Sequence, residues 1–133
     1  MALAIERSLE CEILSQQSFS RPILDLGCGD GLFARVLFSE NVDTGIDSDQ
    51  EEVERARCYA IYNELITCGG DRIPKDDESY HTVFSNSVLE HIPDLDPVLR
   101  EVNRLLTPGG RFYASIPTDR FEAYSAGARL LHG

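Results

Sequence analysis

The stretch LDLGCGDGLFA, residues 24–34, decides the fold. Three glycines stand two apart, at Gly27, Gly29 and Gly31, directly after the apolar run Pro22 to Leu26. An apolar run ending in glycine reads as a buried strand that feeds a loop. Leu32, Phe33, Val36 and Leu37 then carry the spacing of a helix. Glycines crowded at such a junction let the backbone approach a ligand closely. A triphosphate loop requires G-x-x-x-x-G-K-[ST], and no lysine follows here. The dinucleotide fingerprint G-x-G-x-x-G wants its third glycine at position 32, which is Leu32. The loop is therefore G-x-G-x-G, and neither phosphate reading fits it.

Outward from the loop, strand and helix patterns alternate. Val42 to Ile46 is predicted as a second strand. Asp49-Gln-Glu-Glu52 reads as a capping box, Asp49 accepting from the backbone three residues on while Glu52 reaches back. That helix is predicted to run to about Asn63, burying Val53, Ala56, Ala60 and Ile61. Leu65 to Cys68 is a third strand, residues 69–80 a polar loop, and His81 to Ser85 a fourth strand. Asp96 is expected as N-cap with Pro97 at the first helical position. Val98, Val102, Leu105 and Leu106 form that helix's apolar stripe, and Thr107-Pro-Gly-Gly110 stops it. Arg111 to Ile116 is a fifth strand. Residues 2–16 are predicted as an amphipathic helix burying Leu3, Leu9, Ile13 and Leu14, and residues 120–131 as a last helix. The chain, 1–133, is read as one domain with its core at about residues 20–118. This alternation implies an α/β fold: a parallel sheet with helices on both faces and right-handed crossovers. Ligands of such sheets bind beyond the carboxyl ends of the strands.

Two carboxylates fall at those ends. Asp25 beside the glycines is a poor neighbour for a pyrophosphate. It either receives a ligand that is cationic or rich in hydrogen-bond donors, or accepts backbone N–H groups within the turn. Asp47 ends the second strand at the distance from Gly27 expected of a carboxylate that grips ribose hydroxyls. Asp49 is better placed than Asp47 to cap the following helix.

Composition narrows the partners. Net charge is −11, from 23 acidic against 12 basic residues, which opposes a phosphate-binding surface for nucleic acid or docking on an anionic membrane. Hydrophobic content of 42% and charged content of 26% are those of a globular domain. Cys11, Cys28, Cys58 and Cys68 make no C-x-x-C unit or zinc spacing, so no metal site is expected. The start MALAIERSLECEIL lacks the basic and apolar blocks of a secretion signal. The chain is read as cytoplasmic, in a reducing compartment.

Five segments in order carry a resemblance: ILDLGCGDGLFA (23–34), TGIDSDQEEVERAR (44–57), GGDRIP (69–74), HTVFSNSVLEHIPD (81–94) and LREVNRLLTPGGRFYASIP (99–117). Together they resemble the class I S-adenosylmethionine-dependent methyltransferases, a Rossmann-like superfamily, over about residues 20–118. The resemblance implies strand order 3-2-1-4-5 and S-adenosylmethionine as cofactor. It implies that Asp25, Gly27 and Gly29 line the methionine moiety, with Cys28 contributing backbone. Asp47 would hold the ribose hydroxyls and Ser48 lie against the adenine. Asp71 would accept from the adenine amino group with the Arg72 backbone nearby, and Asn86 and Ser87 would face the methyl-transfer region. The cofactor is a sulfonium cation without phosphate, which agrees with carboxylates and no lysine at the loop. The implied reaction is in-line transfer of a methyl group to a small-molecule acceptor, where proximity and orientation can supply about 7–11 kcal/mol. No dedicated acid is required. His91 in Leu89-Glu-His-Ile92 is the one candidate base, set against a reading as a packing residue. Tyr80-His81 departs from the aromatic–aspartate pair usual in the family and is read as structural.

The family fold has seven strands, the last two an antiparallel hairpin, and nothing after Pro117 reads as that hairpin. The chain is therefore expected to be truncated at its C-terminus. Its fifth strand, Phe112 to Ile116, would be an uncovered edge open to self-association. The alternative function is a domain that binds the cofactor without turnover, or an interaction module dependent on a partner. An aminopropyl transfer lacks a second acidic cluster for a polyamine, and a dinucleotide oxidoreductase lacks the third glycine.

Overall fold

The sheet grows outward from β1 (Ile23–Leu26), whose four residues are all buried. On one side lie β2 (Val42–Asp47) and β3 (Tyr62–Thr67); on the other lie β4 (Tyr80–Asn86), β5 (Leu106–Pro117) and β6 (Ala128–His132). The order is β3-β2-β1-β4-β5-β6. The first five strands run parallel, and β6 is antiparallel to β5. This computed structural model describes residues 12, 14–16, 19–117 and 128–132. Asp25 sits in register between Gly45 of β2 and Phe84 of β4.

Helices cover both faces, as the alternation implies. α3 (Asp96–Leu105) buries Val98, Val102 and Leu105 against Leu24, Leu26, Ile46 and Val83. On the opposite face Ala34, from α1 (Leu32–Leu37), joins Ile23, Phe84 and Tyr113. Side chains alternate along a strand, so Asp25 turns away from the α3 cluster that holds Leu24 and Leu26. α2 (Gln50–Arg57) buries Val53 and Ala56. At the N-terminus Glu12, Leu14 and Ser15 are helical and Leu14 is buried; the rest of the predicted helix 2–16 lies outside the described residues.

Several boundaries differ from the sequence expectations. α2 ends at Arg57, not near Asn63, because Ala60 takes a left-handed backbone (φ 52°) that breaks the helix. Ile61 is still buried, but from the loop, and β3 begins at Tyr62. The capping box is half formed. The Asp49 carboxylate accepts from the Glu51 N–H (2.9 Å), while Glu52 pairs with Arg55 instead of reaching back. Leu95, not Asp96, is the N-cap of α3, and the Asp94 carboxylate accepts from the Asp96 N–H. Leu32 and Val36 of α1 are exposed, and Ala34 is the residue that α1 buries. Thr107 to Gly110 bulge out of β5, so Tyr80 pairs with Leu106 while Thr82 pairs with Arg111.

The largest correction is at the C-terminus. Residues 128–132 form β6, not the end of a helix, and pair with β5 from Tyr113 to Pro117. The edge expected to be bare is covered along that length. Ala-Arg-Leu-Leu-His has no β-branched residue, so local propensity favours helix. Hydrogen-bonding groups along β5 give those residues a partner and override that preference. Residues 120–127 of the predicted helix lie outside the described residues.

Candidate functional site

All five parallel strands end at the same edge of the sheet, and the loops leaving β1, β2, β3 and β4 meet there. Gly27, Gly29 and Gly31 all take positive φ, so the chain turns sharply out of β1. The N–H groups of Gly27 and Cys28 donate to the Ile46 carbonyl (2.9 and 2.8 Å), tying the loop to β2. A Cβ at Gly27 would lie 2.5 Å from Val88, so the glycine also admits the β4 loop.

Asp47 is held by the backbone on both oxygens. Oδ2 accepts from the Gly29 N–H and Oδ1 from the Asp49 N–H, each at 2.9 Å. A carboxylate has about four lone-pair sites, so each oxygen keeps capacity for a further donor. Asp25 is nearly fully buried, at 4% exposure. Burial pushes its carboxyl up to about 7, the Tyr62 hydrogen bond opposes this, and the charge of Asp47 adds to it. The Tyr62 hydroxyl donates to Asp25 Oδ2 at 2.5 Å. Burial likewise pushes the Cys28 thiol up, which leaves it inert as a nucleophile.

Two clefts share Gly27, Asp47, Ser87 and Val88. One, of about 870 Å³, is lined by Asp25, Cys28, Gly29 and Asn86 and by the acidic residues Asp30, Asp49 and Glu52. The other, of about 710 Å³, is lined by Ser48, Gly69, Gly70 and Asp71, and by the apolar Leu26, Ile46, Ile92 and Val98. Neither is lined by a lysine or an arginine. This donor set fits a ligand with a cationic end, hydroxyl groups and an apolar ring system, and does not fit a phosphate. Among the described residues no group of His, Cys, Asp and Glu is placed to hold a metal ion, and no helix is long and apolar enough to cross a membrane.

Of the residues singled out from sequence, Asp25, Gly27, Cys28, Gly29, Asp47, Ser48, Asp71, Asn86, Ser87 and His91 line these clefts. Arg72 lines neither; its N–H donates to the Gly69 carbonyl at 3.4 Å. His91 stands at the rim of the Asp71 cleft, its side chain 79% exposed and its Nε2 3.7 Å from Glu90. The Asn86 amide oxygen accepts from the Ser115 hydroxyl of β5.

Sequence reasoning missed four contributors. Val88 closes on Gly27, and no pattern marked it. Tyr62 was placed within the predicted helix. Glu101 and Arg104 of α3 pin the loop that carries Asp71: Glu101 accepts from the Ile73 N–H at 2.6 Å, and Arg104 donates to the carbonyls of Ile73 and Lys75. Glu101 and Arg104 stand three apart on one helical face, a recognisable pair, but their target lies about thirty residues away.

Comparison with known proteins agrees with this geometry. The methyltransferase domain family matches residues 24–114. A ubiquinone biosynthesis O-methyltransferase of Vibrio atlanticus is 30% identical over 112 residues, covering 80% of this chain and 47% of that protein. The sterol 24-C-methyltransferase erg6 of Aspergillus fumigatus is 34% identical over 110 residues, covering 75% and 29%. The chain thus spans about half the length, or less, of these curated relatives. Among solved structures, a methyltransferase of Thermotoga maritima, described as a possible histamine N-methyltransferase, superposes with a TM-score of 0.77 at 20% identity. It covers 95% of this chain and 64% of that one.

Proposed function

This chain belongs to the class I S-adenosylmethionine-dependent methyltransferase superfamily, and from that premise we propose that it transfers a methyl group to a small-molecule acceptor by in-line displacement. The observation that carries the reading is the pair of clefts joined at Asp47, lined by carboxylates and without lysine or arginine. S-adenosylmethionine, when bound, supplies a methyl carbon already activated by its sulfonium. What remains for the chain is to bind, orient and exclude water. Asp47, fixed by two backbone N–H donors, has lone pairs left for the ribose hydroxyls. Asp25 offers an acceptor to the ammonium, and Asp71 and Ser48 offer polar groups to the adenine edge. Leu26, Ile46, Ile92 and Val98 would keep water from the ring. Asn86 and Ser87, beside Asp25 at the end of β4, are the nearest polar groups for an acceptor.

A small-molecule acceptor is supported by the relatives, one an O-methyltransferase of ubiquinone biosynthesis and one a sterol 24-C-methyltransferase. They differ in the atom methylated, so the acceptor atom is left open. Calorimetric titration with S-adenosylmethionine, its demethylated product S-adenosylhomocysteine and NAD tests the cofactor reading. Binding of the first two and not of NAD is expected, and binding of NAD alone overturns it.

A further inference from the structure

Tyr62 opens β3, yet its ring leaves its own strand. It crosses β2 at Gly45 and ends on Asp25 of β1, bridging three strands with one side chain. Two glycines make the passage. A Cβ at Gly45 would stand 2.7 Å from the ring's Cε1, and one at Gly31 would stand 3.2 Å from its Cε2. The third glycine of the G-x-G-x-G loop therefore sits against this ring as well as turning the chain.

We propose that Tyr62 is a positioning residue of the cofactor cleft: its hydroxyl, threaded between Gly31 and Gly45, holds the buried Asp25 carboxylate ionised and aimed as the acceptor for the ligand's ammonium. This rests on the cofactor reading above. The geometry alone sets up the problem that Tyr62 solves. Asp25 is buried beside other anions, and a buried carboxylate without a donor takes up a proton and ceases to attract a cation. The titratable groups facing it are Tyr62 from β3, Asp47 from β2 and Cys28 from the loop. Asp30 lies near the Tyr62 hydroxyl, and Glu52 of α2 faces Cys28. None of these is basic, so among the described residues no cation stabilises the charge. The phenol itself is pushed far up by burial and by Asp25, so it stays a donor throughout the accessible pH range. Burial sets Asp25 at about 7 even with this hydrogen bond in place, so loss of the bond moves it higher.

Affinity for S-adenosylhomocysteine, measured by calorimetry between about pH 5.5 and about pH 9, tests this. In the wild-type chain affinity should rise with pH, with a midpoint near the Asp25 value of about 7. In Tyr62→Phe the midpoint should move up by about one pH unit. Affinity should then be up to about tenfold weaker below neutrality and recover at the alkaline end. A loss of the same size at every pH means that Tyr62 only packs, and overturns the proposal. If Tyr62→Phe does not fold, 3-fluorotyrosine at position 62 keeps the ring and donates more strongly. The midpoint should then fall, and an unmoved midpoint overturns the proposal. A wild-type chain that binds with no pH dependence overturns this inference alone. One that binds at no pH overturns the cofactor reading as well.

Discussion

Asp25 and Asp47 end neighbouring parallel strands and line the same cleft, yet the chain treats them in opposite ways. Asp47 is half-exposed and held by backbone N–H groups, one of them only two residues along the chain. Asp25 is buried and held by one phenol from a strand that begins 37 residues later. Asp47 is organised by its loop, each of its oxygens accepting one backbone N–H. Asp25 is organised by packing and sits at the border between its charged and neutral forms. The contrast separates a carboxylate fixed by its own loop from one whose charge depends on pH.

The contrast breaks most sharply at Asp47. Asp47→Ala removes the hydroxyl acceptor and frees the Gly29 and Asp49 N–H groups together. Hydrogen bonds to a charged group contribute about 1.5–3 kcal/mol each, so cofactor affinity should fall by about one hundredfold or more. Calorimetry checks this, and unchanged affinity removes Asp47 from the ribose role.

Gly45→Ala tests the Asp25 side. Its Cβ would meet the Tyr62 ring, whose opposite edge lies against Gly31. Overpacking of this kind costs about 1–3 kcal/mol, to be read from chemical denaturation. Wild-type stability would show that the ring moves aside easily.

Asp25→Asn sharpens the electrostatic half. An acid whose folded pKa lies above its unfolded value binds more protons when folded. Asp25 therefore removes stability as pH rises from about 4 to about 7. Above that window the ligand-free Asn variant should be more stable than wild type by up to about 4 kcal/mol, and below it the two should converge. Melting curves at both ends of the window decide this. Parallel pH profiles of the two chains would contradict the buried-acid account.

The smallest effect is expected at His91. Its side chain is largely exposed at the rim of the Asp71 cleft and does not line the cleft of Asp25 and Asn86. His91→Gln should change kcat by no more than about threefold, roughly 0.7 kcal/mol. A fall of a hundredfold with unchanged KM would instead make His91 the general base.

These two aspartates also mark how far the sequence could be read. The five parallel strands and the helices that link them were legible because apolar runs and glycine punctuation report local preference directly. Asp47 was legible for the same reason, standing at a strand end at a recognisable distance from the loop. For Asp25 two readings stayed open, a ligand acceptor and an acceptor within the turn. The donor in the chain is Tyr62, which the sequence reading counted into a helix that Ala60 in fact interrupts. The β6 strand was missed because its residues favour helix when considered alone and pair only when β5 is beside them. The pinning of the Asp71 loop by Glu101 and Arg104 was hidden for a related cause: a loop's partners need not be near it in the chain.

By itself the sequence determined the glycine loop, the strand order implied by its resemblance, and the carboxylates that stand at the strand ends beside that loop. Those features depend on residue type and spacing within a few turns of chain. Only the tertiary structure decided which donor holds Asp25, where α2 ends and what covers β5. Each of these depends on groups far apart in sequence that packing brings within a hydrogen bond of one another.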